Sequence, residues 1–120
     1  MIKATLIKKM DECRIQMHGH AEAERNEQDN DLVCCAASTM VQQLMWGVMH
    51  RSMASIEGHC EPGDVELVIR CDNEKPGSLM NYTLVWDRMD FLFEGLSMLE
   101  EEYPDSVDVQ IATVTHAVLT

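Results

Sequence analysis

Residues 79–102 read LMNYTLVWDRMDFLFEGLSMLEEE, and this stretch decides the fold. Tyr82, Val85, Trp86, Met89, Leu92, Phe93, Leu96 and Leu99 recur at intervals of three and four. That spacing puts them on one stripe of an α-helix, while Asn81, Asp87, Asp90, Glu94 and Ser97 fall largely elsewhere. Proline cannot continue a helix, so Tyr103-Pro104-Asp105 ends it. A helix with so much apolar surface on one side has to bury it against another element.

The flanking segments supply that element. Upstream, Val65, Leu67, Ile69 and Cys71 alternate with Glu66, Val68 and Arg70, as in a strand. This run is the most apolar of its kind and is expected in the centre of a sheet. Downstream, Val107, Val109 and Ile111 alternate with Asp108, Gln110 and Ala112. Near the start, Ile2, Ala4 and Leu6 mark one strand. Cys13 to His18 mark another, joined to the first by a short connection at Lys9–Glu12 that implies a hairpin. Asp72 to Ser78, with Pro76-Gly77, reads as a turn.

A second helix is expected from about Leu32, with Asp31 as its N-cap. Ala37, Met40 or Val41, Leu44 and Val48 keep helical spacing, and the pattern runs to about Ser52 or Ile56. Gly47 interrupts it, at a propensity cost of up to ~1 kcal/mol, but allows close packing. Glu57 to Asp64 reads as a turn region, with His59 and Cys60 as ordinary loop residues. Strand, strand, helix, strand, helix, strand is the resulting order. It implies one α/β domain over residues 1–120, a two-layer sandwich with two helices on a mixed or mainly antiparallel four-stranded sheet. A polar loop at about 21–30 is expected to be mobile. Loops of that length are uncommon without a function.

Composition narrows the function. The chain has 120 residues, 46% of them apolar, which suits one domain with one core. Acidic residues outnumber basic ones 21 to 9, for a net charge of -12. No basic tract is present, which argues against direct nucleic-acid binding. The charge favours a basic partner, or simply solubility. The start, MIKATLIKKM, is unlike a signal peptide. The apolar stretches read as too short to span a membrane. Five cysteines without zinc-finger or secreted-framework spacing suit reduced thiols in the cytoplasm.

The residues with chemistry lie around the polar loop. Cys34 falls in the first turn of the expected helix, where unpaired N–H groups and the helix dipole favour a thiolate. An inert core cysteine is the alternative. Cys35 competes with it: adjacent helical residues point about 100° apart, so only one can face a given site, and spacing alone does not choose. His20 follows Gly19, which permits a sharp turn, at the end of the second strand. It could serve as general base to a thiol and general acid to a leaving amine, or be a surface histidine. His18 is its neighbour and decoy. Asp31 either caps the helix or orients the histidine. Ser38 shares a helical face with Cys34, and the backbone N–H groups of Cys34 and Cys35 are candidate oxyanion donors. Cys13 and Cys71 read as strand residues in the core. His18 and His20 would share one face of a strand and could help to hold a metal, but Cys34 and Cys35 share no such geometry and no second ligand pair appears, so no metal and no organic cofactor is expected.

Gly19-His20-Ala21, followed by Asp31-Leu32-Val33-Cys34-Cys35-Ala36-Ala37-Ser38, resembles the signature of the ribosomal-processing cysteine protease family Prp. That signature is a Ser-Gly-His-Ala stretch, then, a dozen or so residues on, Asp-hydrophobic-Val-Cys-Ala-Ala-x-Ser. Chain length and element order fit as well. The resemblance implies a cysteine endopeptidase acting through a Cys–His dyad on the N-terminal extension of ribosomal protein L27. It places the nucleophile on Cys34, which directly follows Asp31-Leu32-Val33, and the base on His20. Asp31, Ser38 and Gly19 match its other characteristic positions. It also implies a homodimer with a flexible loop between histidine and cysteine. Departures are His18 for the usual serine, Asp29 for a common glycine, and Cys35 for alanine. A non-enzymatic ribosome-associated or assembly protein that binds a basic partner is the competing reading.

Overall fold

The computed structural model describes residues 1–20, 27–51, 54–71 and 77–114. Its elements run β1 (Ile2–Lys9), β2 (Glu12–His18), α1 (Glu27–His50), β3 (Ser55–Glu61), β4 (Asp64–Arg70), α2 (Ser78–Glu102) and β5 (Val107–Val114). The strands form one sheet in the order β3-β4-β2-β1-β5. Alternation builds β1: Ile2, Ala4, Leu6 and Lys8 turn inward and are buried. β2 pairs antiparallel with β1, Leu6 opposite Ile15, and antiparallel with β4, Ile15 opposite Leu67. Both β2 and β3 are antiparallel to β4, so they point the same way, and α1 is the crossover between them. Likewise β5 is parallel to β1, and α2 carries the chain across to it from β4.

Both helices lie on one face. Val33, Ala37, Val41, Leu44 and Val48 of α1 and Val85, Met89, Leu92 and Leu96 of α2 are buried with the inward sheet residues in a single core. Arg88 of α2 lies where a side chain at Gly47 would stand, so the close packing expected at that glycine is present. The one buried charge among the described residues is handled locally. Lys8 is buried, its ammonium donates to Asp90, and it sits 4.8 Å from the centre of the Trp86 ring. The Trp86 indole N–H in turn donates to the Lys9 carbonyl at 2.8 Å.

Four expectations are corrected. The two-layer sandwich holds, but its sheet has five strands, not four. The missed strand is β3, so His59 and Cys60 are strand residues, and the turn shrinks to Pro62-Gly63 between two paired strands. β3 hid because it is an edge strand whose side chains are mostly exposed, leaving little apolar alternation to see. β4 is interior, but the middle strand is β2. α1 begins at Glu27, not after Asp31, and ends at His50. Finally, Leu32–His50 is not too short: at 19 residues it is long and apolar enough to cross a membrane. One stripe of it (Val33, Ala37, Val41, Leu44 and Val48) is buried in the core, while Leu32, Trp46 and Met49 are exposed. The loop expected at about 21–30 lies outside the described residues at 21–26, while 27–30 are helical.

Candidate functional site

The site is assembled where β2 leaves the sheet. Gly19 directly follows the strand with φ +99°. A Cβ there would lie 2.2 Å from the Met1 carbonyl oxygen, so backbone passes over backbone at this position. The Gly19 N–H donates to the Gly63 carbonyl at 3.1 Å, which ties the end of β2 to the β3–β4 turn. His20 comes next and is exposed. Its ring lies directly over Gly63, where a Cβ would come within 2.4 Å of Cε1 and 2.6 Å of Nε2. The turn is thus a platform for the imidazole.

α1 starts from the same end of the sheet, because it follows β2 in the chain and runs back over the sheet. Cys34 is half-buried on that helix and packs against the core, whereas Cys35 is exposed. The structure therefore separates two residues that spacing left equal. None of the five cysteines is in a disulfide. Burial holds the Cys13 thiol up at about 11 and also raises those of Cys60 and Cys71, which suits packing rather than reactivity. Ser38 is half-buried, one turn beyond Cys34. The side chain of Asp31 lies outside the described residues.

The longer helix changes the local physics at Cys34. It is the eighth residue of α1, not a member of its first turn, and Asp31 is inside the helix rather than its N-cap. Only the first four N–H groups of a helix lack an internal acceptor, and the dipole acts mainly over the first turn. The backbone N–H groups of Cys34 and Cys35 are therefore engaged in the helix, and the reason for naming them as oxyanion donors is lost.

Sequence reasoning passed over a charged cluster beside His20. His18 Nδ1 lies 3.2 Å from Asp64 Oδ1, and His18 Nε2 lies 2.8 Å from Glu66 Oε1. His59 Nε2 lies 2.9 Å from Asp64 Oδ2, a contact that raises the affinity of His59 for its proton. The signal was the Pro62-Gly63 pair: as a two-residue hairpin turn it would have paired His59 with Glu66 and exposed the cluster. No metal-binding group of three or more His, Cys, Asp or Glu is present among the described residues.

Comparison with known proteins follows the same outline. A family model described as cysteine protease Prp matches residues 1–108. SMU.848 from Streptococcus mutans is 23% identical, with 95% of this chain and 96% of that one covered and a TM-score of 0.60. An essential ribosomal processing protease Prp from S. aureus, solved with a substrate peptide, is 15% identical over 93% of this chain and 100% of that one, with a TM-score of 0.63. The S. aureus protease with a covalently linked product peptide is 17% identical over the same shares, with a TM-score of 0.57. A search of curated proteins by sequence finds no match.

Proposed function

The chain belongs to the cysteine protease Prp family, and from that premise we propose that it is a processing endopeptidase with Cys34 as nucleophile and His20 as its base. The family match over residues 1–108 carries this reading. The placement of the two residues supports it: His20 is delivered to one end of the sheet by β2, and α1, which bears Cys34, departs from that end. His20 takes the thiol proton, and Cys34 attacks the scissile carbonyl to form a thioester as the amine leaves with the proton from the imidazolium. Water, deprotonated by His20, then hydrolyses the thioester. Since α1 gives Cys34 no first-turn position, activation rests on the imidazole.

The proposed substrate is the N-terminal extension of ribosomal protein L27. The S. aureus relative is a ribosomal processing protease that binds a substrate peptide, and a basic ribosomal protein suits a chain of charge -12. Such processing belongs in the cytoplasm, where ribosomes are built. A homodimer is part of the reading. Phe91 and Met98 of α2 are exposed beside a cavity of about 460 Å³ between the helices, an apolar surface that a second copy would cover.

The test is incubation with the organism's own full-length L27, followed by intact mass. One discrete N-terminal truncation is expected from the wild type and from Cys35→Ala. Cys34→Ala and His20→Ala should give none. Cleavage lost with Cys35→Ala but kept with Cys34→Ala would move the nucleophile. No cleavage by folded wild-type protein of an L27 that carries an extension would favour the assembly-protein reading.

A further inference from the structure

The β3–β4 turn does more than close a hairpin. His20 rests on Gly63, and the residue after Gly63 is Asp64. Both carboxylate oxygens of Asp64 are taken by imidazoles from neighbouring strands, Oδ1 by His18 of β2 and Oδ2 by His59 of β3. Asp64 opens β4, so a single carboxylate ties three strands together at the base of the platform. His18 is held on both ring nitrogens, the second by Glu66 two residues along β4. Both contacts of His18 are hydrogen bonds at once only when its ring is the imidazolium, which has two N–H donors. Glu61, at the end of β3, adds its negative charge around His59.

Global stability does not explain this arrangement. His18, Asp64, His59 and Glu66 are each about half exposed, with side-chain exposures of 46–51%. Exposed pairs of this kind contribute little to stability, because solvent screens them. They can still select one conformation of a two-residue turn. Small errors in the aim of a reacting group cost far more in rate than such pairs contribute in stability.

We propose that Asp64 is a positioning residue for His20: by holding His18 and His59 together it fixes the Pro62-Gly63 turn, and with it the orientation of the imidazole resting on that turn. This rests on the reading of His20 as the base. Asp64 itself does not touch the reacting atoms, and its effect reaches His20 through Gly63.

The experiment combines kinetics with NMR. Asp64→Asn keeps size and removes charge at an exposed position. It is expected to lower kcat about ten-fold while KM changes less than about two-fold, with Asp64→Glu restoring part of the loss. The pH–rate profile should also change where His59 titrates, because Asp64 raises the affinity of His59 for its proton. Side-chain NMR of the Cys34→Ala protein, which needs no cleavage, is expected to show the His20 ring resonances moving toward those of a mobile histidine when Asp64→Asn is added. The double variant His18→Ala/His59→Ala leaves Asp64 in place and should give the same movement. Unchanged His20 resonances in both variants, with His18 or His59 perturbed, would overturn the proposal even if the wild type cleaves. Moving His20 resonances in a protein that cleaves nothing would keep the positioning role and sink the protease reading instead.

Discussion

Gly63 meets two separate demands. Its φ of +76° is one that side chains with a Cβ rarely adopt, and His20 fills the space a Cβ would need. Gly63→Ala is therefore expected to reduce cleavage of the proposed L27 substrate by more than its loss of stability explains, about 1–2 kcal/mol for a left-handed residue with a Cβ. Thermal melts run beside cleavage rates check this, and equal losses in both would count against the platform. Glu12 makes a pH prediction at the far end of the same sheet. Arg14 Nε donates to its carboxylate at 2.7 Å and Arg70 Nε at 3.1 Å. These contacts hold its pKa below the ordinary 4.5 despite some desolvation. A depressed carboxylate contributes stability that is present above its unfolded pKa and is lost as pH falls through the folded one. Denaturant unfolding between about pH 5 and pH 3 should show a shallower pH dependence in Glu12→Gln than in the wild type.

Among the elements, the two helices carry unequal burdens. α1 buries one stripe in the core, yet Trp46 and Met49 remain exposed near its end, with the Trp46 and His50 rings stacked 3.7 Å apart. α2 leaves Leu79, Met80, Phe91 and Met98 exposed on its outer side. Large apolar side chains grouped on a surface mark an interface more often than a solvated face. If a second copy covers this surface, Phe91→Glu is expected to give a folded monomer, read by sedimentation or light scattering. A wild-type monomer, or a dimer untouched by Phe91→Glu, would place the association elsewhere. β3 shows the opposite balance. It buries little, and its place in the sheet is secured by backbone pairing with β4 and by polar contacts such as Arg70 to Glu57 at 2.8 Å.

At the scale of the whole molecule the dominant quantity is charge. A net charge of -12 on 120 residues attracts basic proteins over about a Debye length, roughly 8–10 Å at ordinary salt. Processing of the proposed L27 substrate at subsaturating concentration should therefore slow as sodium chloride is raised, through a weaker apparent KM rather than a lower kcat. Rates that do not respond to salt would remove any role for the acidic surface in recognition. The topology also separates two polar clusters in space. One sheet end carries His20, the Pro62-Gly63 turn and the histidine–carboxylate cluster, while the other carries the Glu12, Arg14, Arg70 and Glu57 network.

The sequence by itself determined the α/β class, both helices, four of the five strands and the inward residues of the central ones. Periodic burial of apolar side chains leaves a direct trace in residue order, and Ile2, Leu6, Ile15, Leu67 and Met89 follow it into the core. The two motif blocks likewise carried the family. Tertiary structure alone decided three things. It made β3 a strand, because an exposed edge is held by backbone hydrogen bonds that have no side-chain signature. It placed the start of α1 at Glu27, because a polar first turn resembles a loop in composition. And it brought His18, His59, Asp64 and Glu66 together beside His20, because they come from three strands whose register no local pattern contains.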